Sequence, residues 1–308
     1  MHRFARILVA LDRVDPADPA LVRSAALARD SGAALTIALS LEEFGRDWPL
    51  DDLRRIIVDG VTGKLEQIAD PIREQGTAVD VRLLFGRPFL EIILQVLRGG
   101  HDIVIKTAGG GRRIGTALFG STDMHLFRKC PCPVWLIRTP DARRPGGVLA
   151  AVAPDANDAS QQRLAAQIVD LAMAMALRES LPLHVVHAWQ PPFDVALQSA
   201  PWLQIPEVRS HQFAEQVREH HELSFTQLLD ALPACAIDVR HHLVNGRATE
   251  VVPQIAAEEQ VDVIVMATLS RGGVPGLLIG DTAETILGQV DCSVLAIKPD
   301  GFVTPVAP

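Results

Sequence analysis

The sequence predicts an α/β protein built as two parallel-sheet domains in tandem, and three observations predict it. Short unbroken apolar runs, such as Ile7–Leu11 and Ile103–Ile105, alternate along the chain with segments whose apolar residues recur at helical spacing. A length of 308 residues is enough for two domains that each bury a core. The chain also repeats itself: Gly86-Arg87 matches Gly246-Arg247 at an offset of 160 residues, and the same offset pairs Asp102 with Asp262, Gly120 with Gly280, Thr122 with Thr282 and Cys132 with Cys292. One offset held without a gap over that span marks an internal duplication.

In order, Ile7–Leu11 reads as a strand ending at Asp12, Leu21–Ser31 as a helix and Ala33–Leu39 as a second strand. Leu53–Gln75 carries Ile56, Ile57, Val61, Leu65 and Ile68 at helical spacing, and Val79–Phe85 is the third strand. A helix follows Gly86-Arg87-Pro88, then the strand Ile103–Ile105, a glycine-rich loop, a helix and a fifth strand at Val134–Ile137. Strand and helix alternate throughout, so the sheet is parallel with right-handed crossovers. Thr139–Gly146 (TPDARRPG) is the natural link, giving domains at 1–139 and 147–308 around a linker at 140–146. Beyond it the order restarts with a strand at Val148–Val152, a helix at Ser160–Arg178, a strand at Leu183–Ala188 and a long helix at His211–Leu232.

Composition narrows the function. A net charge of −8 argues against a protein that grips nucleic acid through its phosphates. No apolar run is long enough to span a membrane, and the basic head MHRFAR is followed by too short an apolar stretch for a signal peptide, so a cytoplasmic protein is expected. The four cysteines show no CxxC spacing and read as buried thiols. His220-His221 and His241-His242 are adjacent pairs, and His184 and His187 fall on opposite faces of a strand, so surface or capping histidines are expected and no metal site is identified.

Chemistry concentrates in Lys106–Ile137, where a strand, a glycine-rich loop and a helix start follow one another. That layout aims backbone N–H groups and the positive end of a helix dipole at one point, a ready anion site. Gly110 and Gly120 either let a phosphate approach the main chain or simply form tight turns. Ser121 and Thr122 either cap the helix or bind a phosphate oxygen. Lys106, Arg112 and Arg113 are available to offset negative charge, whereas Asp123 opposes it. In the second copy, Asp281 followed by Glu284 reads as a capping box; the first copy has Met124 at the fourth place and no box, leaving its N–H groups available. Walker, GxGxxG and GxSxG patterns all fail.

On these residues the chain resembles the universal stress protein family in its tandem form, and the strings TDMHLFRKCPCPVWLI and IKPDGFVTPV resemble the family's E-type branch. The resemblance implies two adenine nucleotide alpha-hydrolase-like domains, each a five-stranded parallel sheet with helices on both faces. It implies a motif Gly-x-x-Gly, nine residues, Gly-Ser/Thr around the phosphates and an Asp at the end of the first strand for the adenine or its sugar. In domain one Thr107 replaces the first glycine, while Gly110, Gly120, Ser121 and Asp12 match, and Ala10, Leu39 and Ser40 would line the base pocket. In domain two Ala267 and Ser270 replace both glycines, Asp281 replaces the serine and Ala153 stands in place of Asp12. The expectation is ATP or AMP at Ala10, Asp12, Leu39, Ser40, Lys106, Thr107, Gly110, Gly120, Ser121 and Thr122, with no ligand in domain two.

The resemblance further implies that the last strands, Pro133–Ile137 and Ser293–Ile297, pair within the molecule or across a homodimer, with Trp135 and Leu295 in apolar contact. It suggests a role in resistance to DNA-damaging or other stress without direct DNA binding. No general base or metal-binding carboxylate cluster is identifiable, so any ATP hydrolysis would be slow. The alternatives are a scaffold whose nucleotide sites have decayed, or a slow ATPase. Trp189, Phe193, Leu197, Trp202 and Leu203, interleaved with prolines, would line a cleft or cover the core.

Overall fold

A computed structural model describes residues 4–41, 51–109, 119–138, 146–191, 207–268 and 279–307. Gly110, Arg112, Arg113, Ser270 and most of the proline-rich segment, with Phe193, Leu197, Trp202 and Leu203, lie outside the described residues. The first half runs β1 (Arg6–Leu11), α1 (Pro19–Ser31), β2 (Ala34–Leu41), α2 (Asp51–Glu74), β3 (Val79–Phe85), α3 (Pro88–Gly99), β4 (Ile103–Thr107), α4 (Ser121–Lys129) and β5 (Val134–Ile137). The second runs β6 (Val148–Val152), α5 (Ala159–Glu179), β7 (Leu183–Trp189), α6 (Glu207–Asp230), β8 (Val239–Asn245), α7 (Ala248–Glu258), β9 (Val263–Ala267), α8 (Asp281–Leu287) and β10 (Ser293–Ile297).

By compactness the chain forms two units. One holds His2–Ala142 together with Thr268–Gly280 and Asp291–Pro308; the other holds Arg143–Ala267 with Asp281–Val290. In the first unit the strands lie in the order β3-β2-β1-β4-β5 and are all parallel. Ile7, Leu8 and Val9 have no exposed surface, which is why the β1 sequence is apolar without alternation. Ile7 faces Leu35 of β2 on one side and Ile103 of β4 on the other, so the winding direction reverses at β1 and opens a crevice beside β4. β10 adds to β5 in the antiparallel sense, with Leu295 opposite Trp135. The second unit repeats the core as β8-β7-β6-β9, again parallel, with its reversal between β6 and β9.

The residues repeated between the halves explain themselves as scaffold. The Asp102 carboxylate accepts from Ala5 N at 2.6 Å, tying β4 to the start of β1; Asp262 accepts from Gly146 N at 2.7 Å and ties β9 to the approach to β6. Gly86 and Gly246 have φ of 135° and 157°, and their N–H groups donate to Leu41 O and Trp189 O at the ends of β2 and β7. Only glycine adopts that backbone without strain. The histidines depart from expectation: His184 and His187 are buried, at 0% and 2% exposure, because β7 is covered on both faces. Their opposite orientations hold, one meeting His242 on β8 and the other His221 on α6.

Candidate functional site

Three ionisable side chains meet at the crevice where β1 and β4 part. Asp12 follows the last residue of β1, Lys106 lies within β4 beside Ala10, and Asp123 lies in the first turn of α4. Lys106 is 2% exposed although it carries a charge. Its Nζ donates to Asp12 Oδ2 at 2.7 Å and to Thr107 O at 2.9 Å, and stands 3.2 Å from Asp123 Oδ1. Asp123 has no exposed surface, and its Oδ2 accepts from Gly109 N at 2.7 Å and from Gly120 N at 3.1 Å. Burial pushes the Asp123 carboxyl above the usual range, while Lys106 and the two N–H groups pull it back. With all three ionised the cluster carries one net negative charge.

This geometry corrects two expectations. Helix α4 opens after Gly120, so its third position is Asp123 and not Met124, and that carboxylate returns to the Gly120 N–H. The first copy therefore has its own helix-start acid. In the second copy α8 begins at Asp281, which puts Asp281 and Glu284 inside the first turn and Ala283 where Asp123 stands. Lys106, expected to offset a phosphate, is instead enclosed between two carboxylates.

The remaining predicted residues fall around this cluster. Ala10 and Leu39 are buried at the ends of β1 and β2, and Ser40 is half-buried beside Leu39. Thr107 does not face an open site with its hydroxyl, which donates to Asp18 Oδ1 at 2.7 Å and accepts from Ala20 N at 3.1 Å. It thereby supports Asp18, whose carboxylate caps α1 through Ala20 N and Leu21 N. Gly120 is required by a close approach: a Cβ there would lie 2.8 Å from Gly109 O. Ser121 is exposed and Thr122 half-buried in the first turn of α4, where N–H groups have no acceptor within the helix. Asp123 is the member that sequence reasoning set against the site; its signal was position three of a helix opening at a glycine.

A profile of the Universal stress protein family matches residues 3–138 and again 150–298. The chain belongs to the universal stress protein family. It is 28% identical to Universal stress protein E of Escherichia coli K12 over 321 residues, covering 99% of this chain and 98% of that one. Identity to Universal stress protein E of Salmonella typhi is also 28%, over 317 residues and with the same coverage. Among solved structures, a putative universal stress protein from Pseudomonas aeruginosa UCBPP-PA14 aligns with a TM-score of 0.70 at 24% identity, covering 97% of this chain and 95% of that one. A universal stress protein from Archaeoglobus fulgidus aligns with a TM-score of 0.61 at 15% identity, covering 95% and 98%. These similarities establish two tandem α/β domains of the family fold. Among the described residues no helix is long and apolar enough to cross a membrane.

Proposed function

We propose that the first domain of this universal stress protein holds an adenine nucleotide, ATP or AMP, in the crevice between β1 and β4, and that it acts by binding and signalling. One observation carries the reading: Asp12, the start of α4 and the paired glycines Gly109 and Gly120 converge at the point where the strand order reverses. In such sheets ligands bind outside the carboxyl ends of the strands at that reversal, with anions on the helix N-terminus. Asp12 is suited to the adenine or ribose, being exposed at its carboxylate, and Ser121 and Thr122 to a phosphate oxygen.

The cluster sets the preference among nucleotides. Lys106 is already engaged by two carboxylates, so the crevice offers no surplus positive charge from it, and AMP with fewer charges fits better than ATP. Asp12 and Asp123 are both held by Lys106, which argues against a hydrolytic role for either. The physiological role in this reading is resistance to DNA-damaging or other stress.

The test is to purify the protein natively, identify any nucleotide that travels with it, and titrate AMP and ATP calorimetrically. Wild type should bind AMP more tightly than ATP, and both Gly120→Val and the milder Asp12→Ala should weaken binding. A wild type that carries no nucleotide and gives no heat with either ligand overturns the reading. That result favours a scaffold, a second reading supported by Asp123, which already occupies the Gly109 and Gly120 N–H groups.

A further inference from the structure

The second unit contains a cluster that the nucleotide reading does not use. In the β7–β8 register His184 stands opposite Arg240 and Val186 opposite His242, so the two histidines are diagonal neighbours on one sheet face. Their rings stack with centroids 5.5 Å apart and planes 16° apart, and His184 Nδ1 lies 3.2 Å from His242 Nε2. Glu259, directly after α7, brings Oε2 to 3.9 Å from His184 Nε2. One donor atom from each of the three residues lies within 4.8 Å of the others.

A second observation points to a ligand. His184 is fully buried, yet its Nε2 has no hydrogen-bond partner among the described residues. Hiding a polar nitrogen from water without a replacement bond costs free energy, so an orphan of this kind calls for a partner. The nitrogen faces the Glu259 carboxylate, and His242 and Glu259 are each half-buried, which leaves a path for an ion and for water.

We propose that His184, His242 and Glu259 form a binding site for a borderline divalent cation of the zinc class. Two imidazole nitrogens and one carboxylate oxygen suit such an ion; calcium and magnesium take oxygen ligands throughout. Three protein ligands leave a fourth position to water from the half-exposed side. An ion on His184 Nε2 gives that buried nitrogen its partner and draws His242 Nε2 out of its hydrogen bond with His184 Nδ1. Arg240 is the internal competitor, because its Nη1 lies 3.2 Å from Glu259 Oε2 and draws the carboxylate away from the histidines.

The full chain, stripped with a chelator, should be dialysed against zinc alone and its metal content measured by mass spectrometry. Cobalt(II), added to the same stripped protein, reports the ligand geometry in its visible spectrum. Wild type is expected to hold one zinc ion and to give the intense visible band of four-coordinate cobalt. His242→Ala and Glu259→Gln, at half-buried positions, should each weaken binding at least about tenfold, since losing even an outer-shell partner costs that much. Arg240→Gln should tighten it. His221→Ala, which alters the separate His187–His221 pair on the other face, should leave it unchanged. Failure of wild type to retain zinc, or retention by His242→Ala and Glu259→Gln at wild-type affinity, overturns the proposal. So does loss in His221→Ala alone, which would move the ion to the other face.

Discussion

Beside β1 the first unit assembles Asp12, Lys106 and Asp123; the matching places beside β6 hold Ala153, Met266 and Ala283. Met266 and Ala283 are buried at 4% and 5%, so these two places are apolar in the second unit where the first has a buried ion pair. All three members differ together, and the energetics say why. A buried ion cluster and its apolar replacement can be equally stable, but an intermediate with one partner removed strands a charge in a low-dielectric site. The two halves therefore stand at opposite ends of an exchange that is costly halfway.

The sharpest way to break this comparison is to stop at the halfway point. Lys106→Met leaves Asp123 buried without its cation and should cost about 3–5 kcal/mol in urea denaturation. The triple variant Asp12→Ala, Lys106→Met, Asp123→Ala copies the second unit and should recover most of that loss. A single variant as stable as the triple would show that Asp123 does not depend on Lys106.

Next in size is a pH effect centred on His187 of the second unit. The sheet registers place His187 where the first unit has Leu39. Burial holds the His187 imidazolium down to about 4 from 6.5. The unfolded chain then takes up a proton near pH 6.5 that the folded chain refuses until about pH 4. Stability is therefore full above pH 6.5 and falls as the pH drops towards 4, by up to about 3 kcal/mol for this group. His187→Leu, which copies the first unit, should flatten the slope between pH 7 and 4.5 in urea denaturation followed by tryptophan fluorescence. An unchanged slope would assign it to other histidines.

Smaller effects probe how each crevice is closed. Gly120→Ala forces a Cβ against Gly109 O and should cost about 1–3 kcal/mol in the thermal unfolding of the first unit. Thr107→Ala, which copies Ala267, removes the hydroxyl shared by Asp18 and Ala20 and should cost about 1 kcal/mol, because Asp18 still caps α1. Equal losses from Thr107→Ala and from Asp18→Ala would mean that the cap depends wholly on the threonine.

Much of the fold was legible because both halves spell their scaffold alike. Asp102 with Asp262 and Gly86 with Gly246 do the same backbone work in each unit, so the repeat marks structure. The candidate site lies in the differences, and the placement of its members was legible only where a residue acts alone. Asp12 and Gly120 were readable from a strand end and a helix start. The Lys106–Asp123 pair was not, because a lysine at the end of an apolar run reads as a cation free to meet a phosphate, and a helix start set one residue late makes Asp123 an opposing charge and not its partner. His184 and His242 meet because β7 and β8 are adjacent parallel strands, although α6 separates them in sequence. No local spacing announces such a pair.

The antiparallel seat of β10 on β5 has a consequence for synthesis. Strand β5 is complete at Ile137, but its neighbour is not complete until Ile297 has been made. At translation rates of about 5–20 residues per second, the β5 edge waits roughly ten to thirty seconds for its natural cover. Lys298, which follows β10 and donates to the carbonyls of Phe127 and Arg128 at the end of α4, arrives equally late. Nascent chains of this protein thus pass through a period with an open, apolar strand edge containing Trp135. Ribosome stalling or C-terminal truncation would prolong that period and invite strand-to-strand association between neighbouring chains.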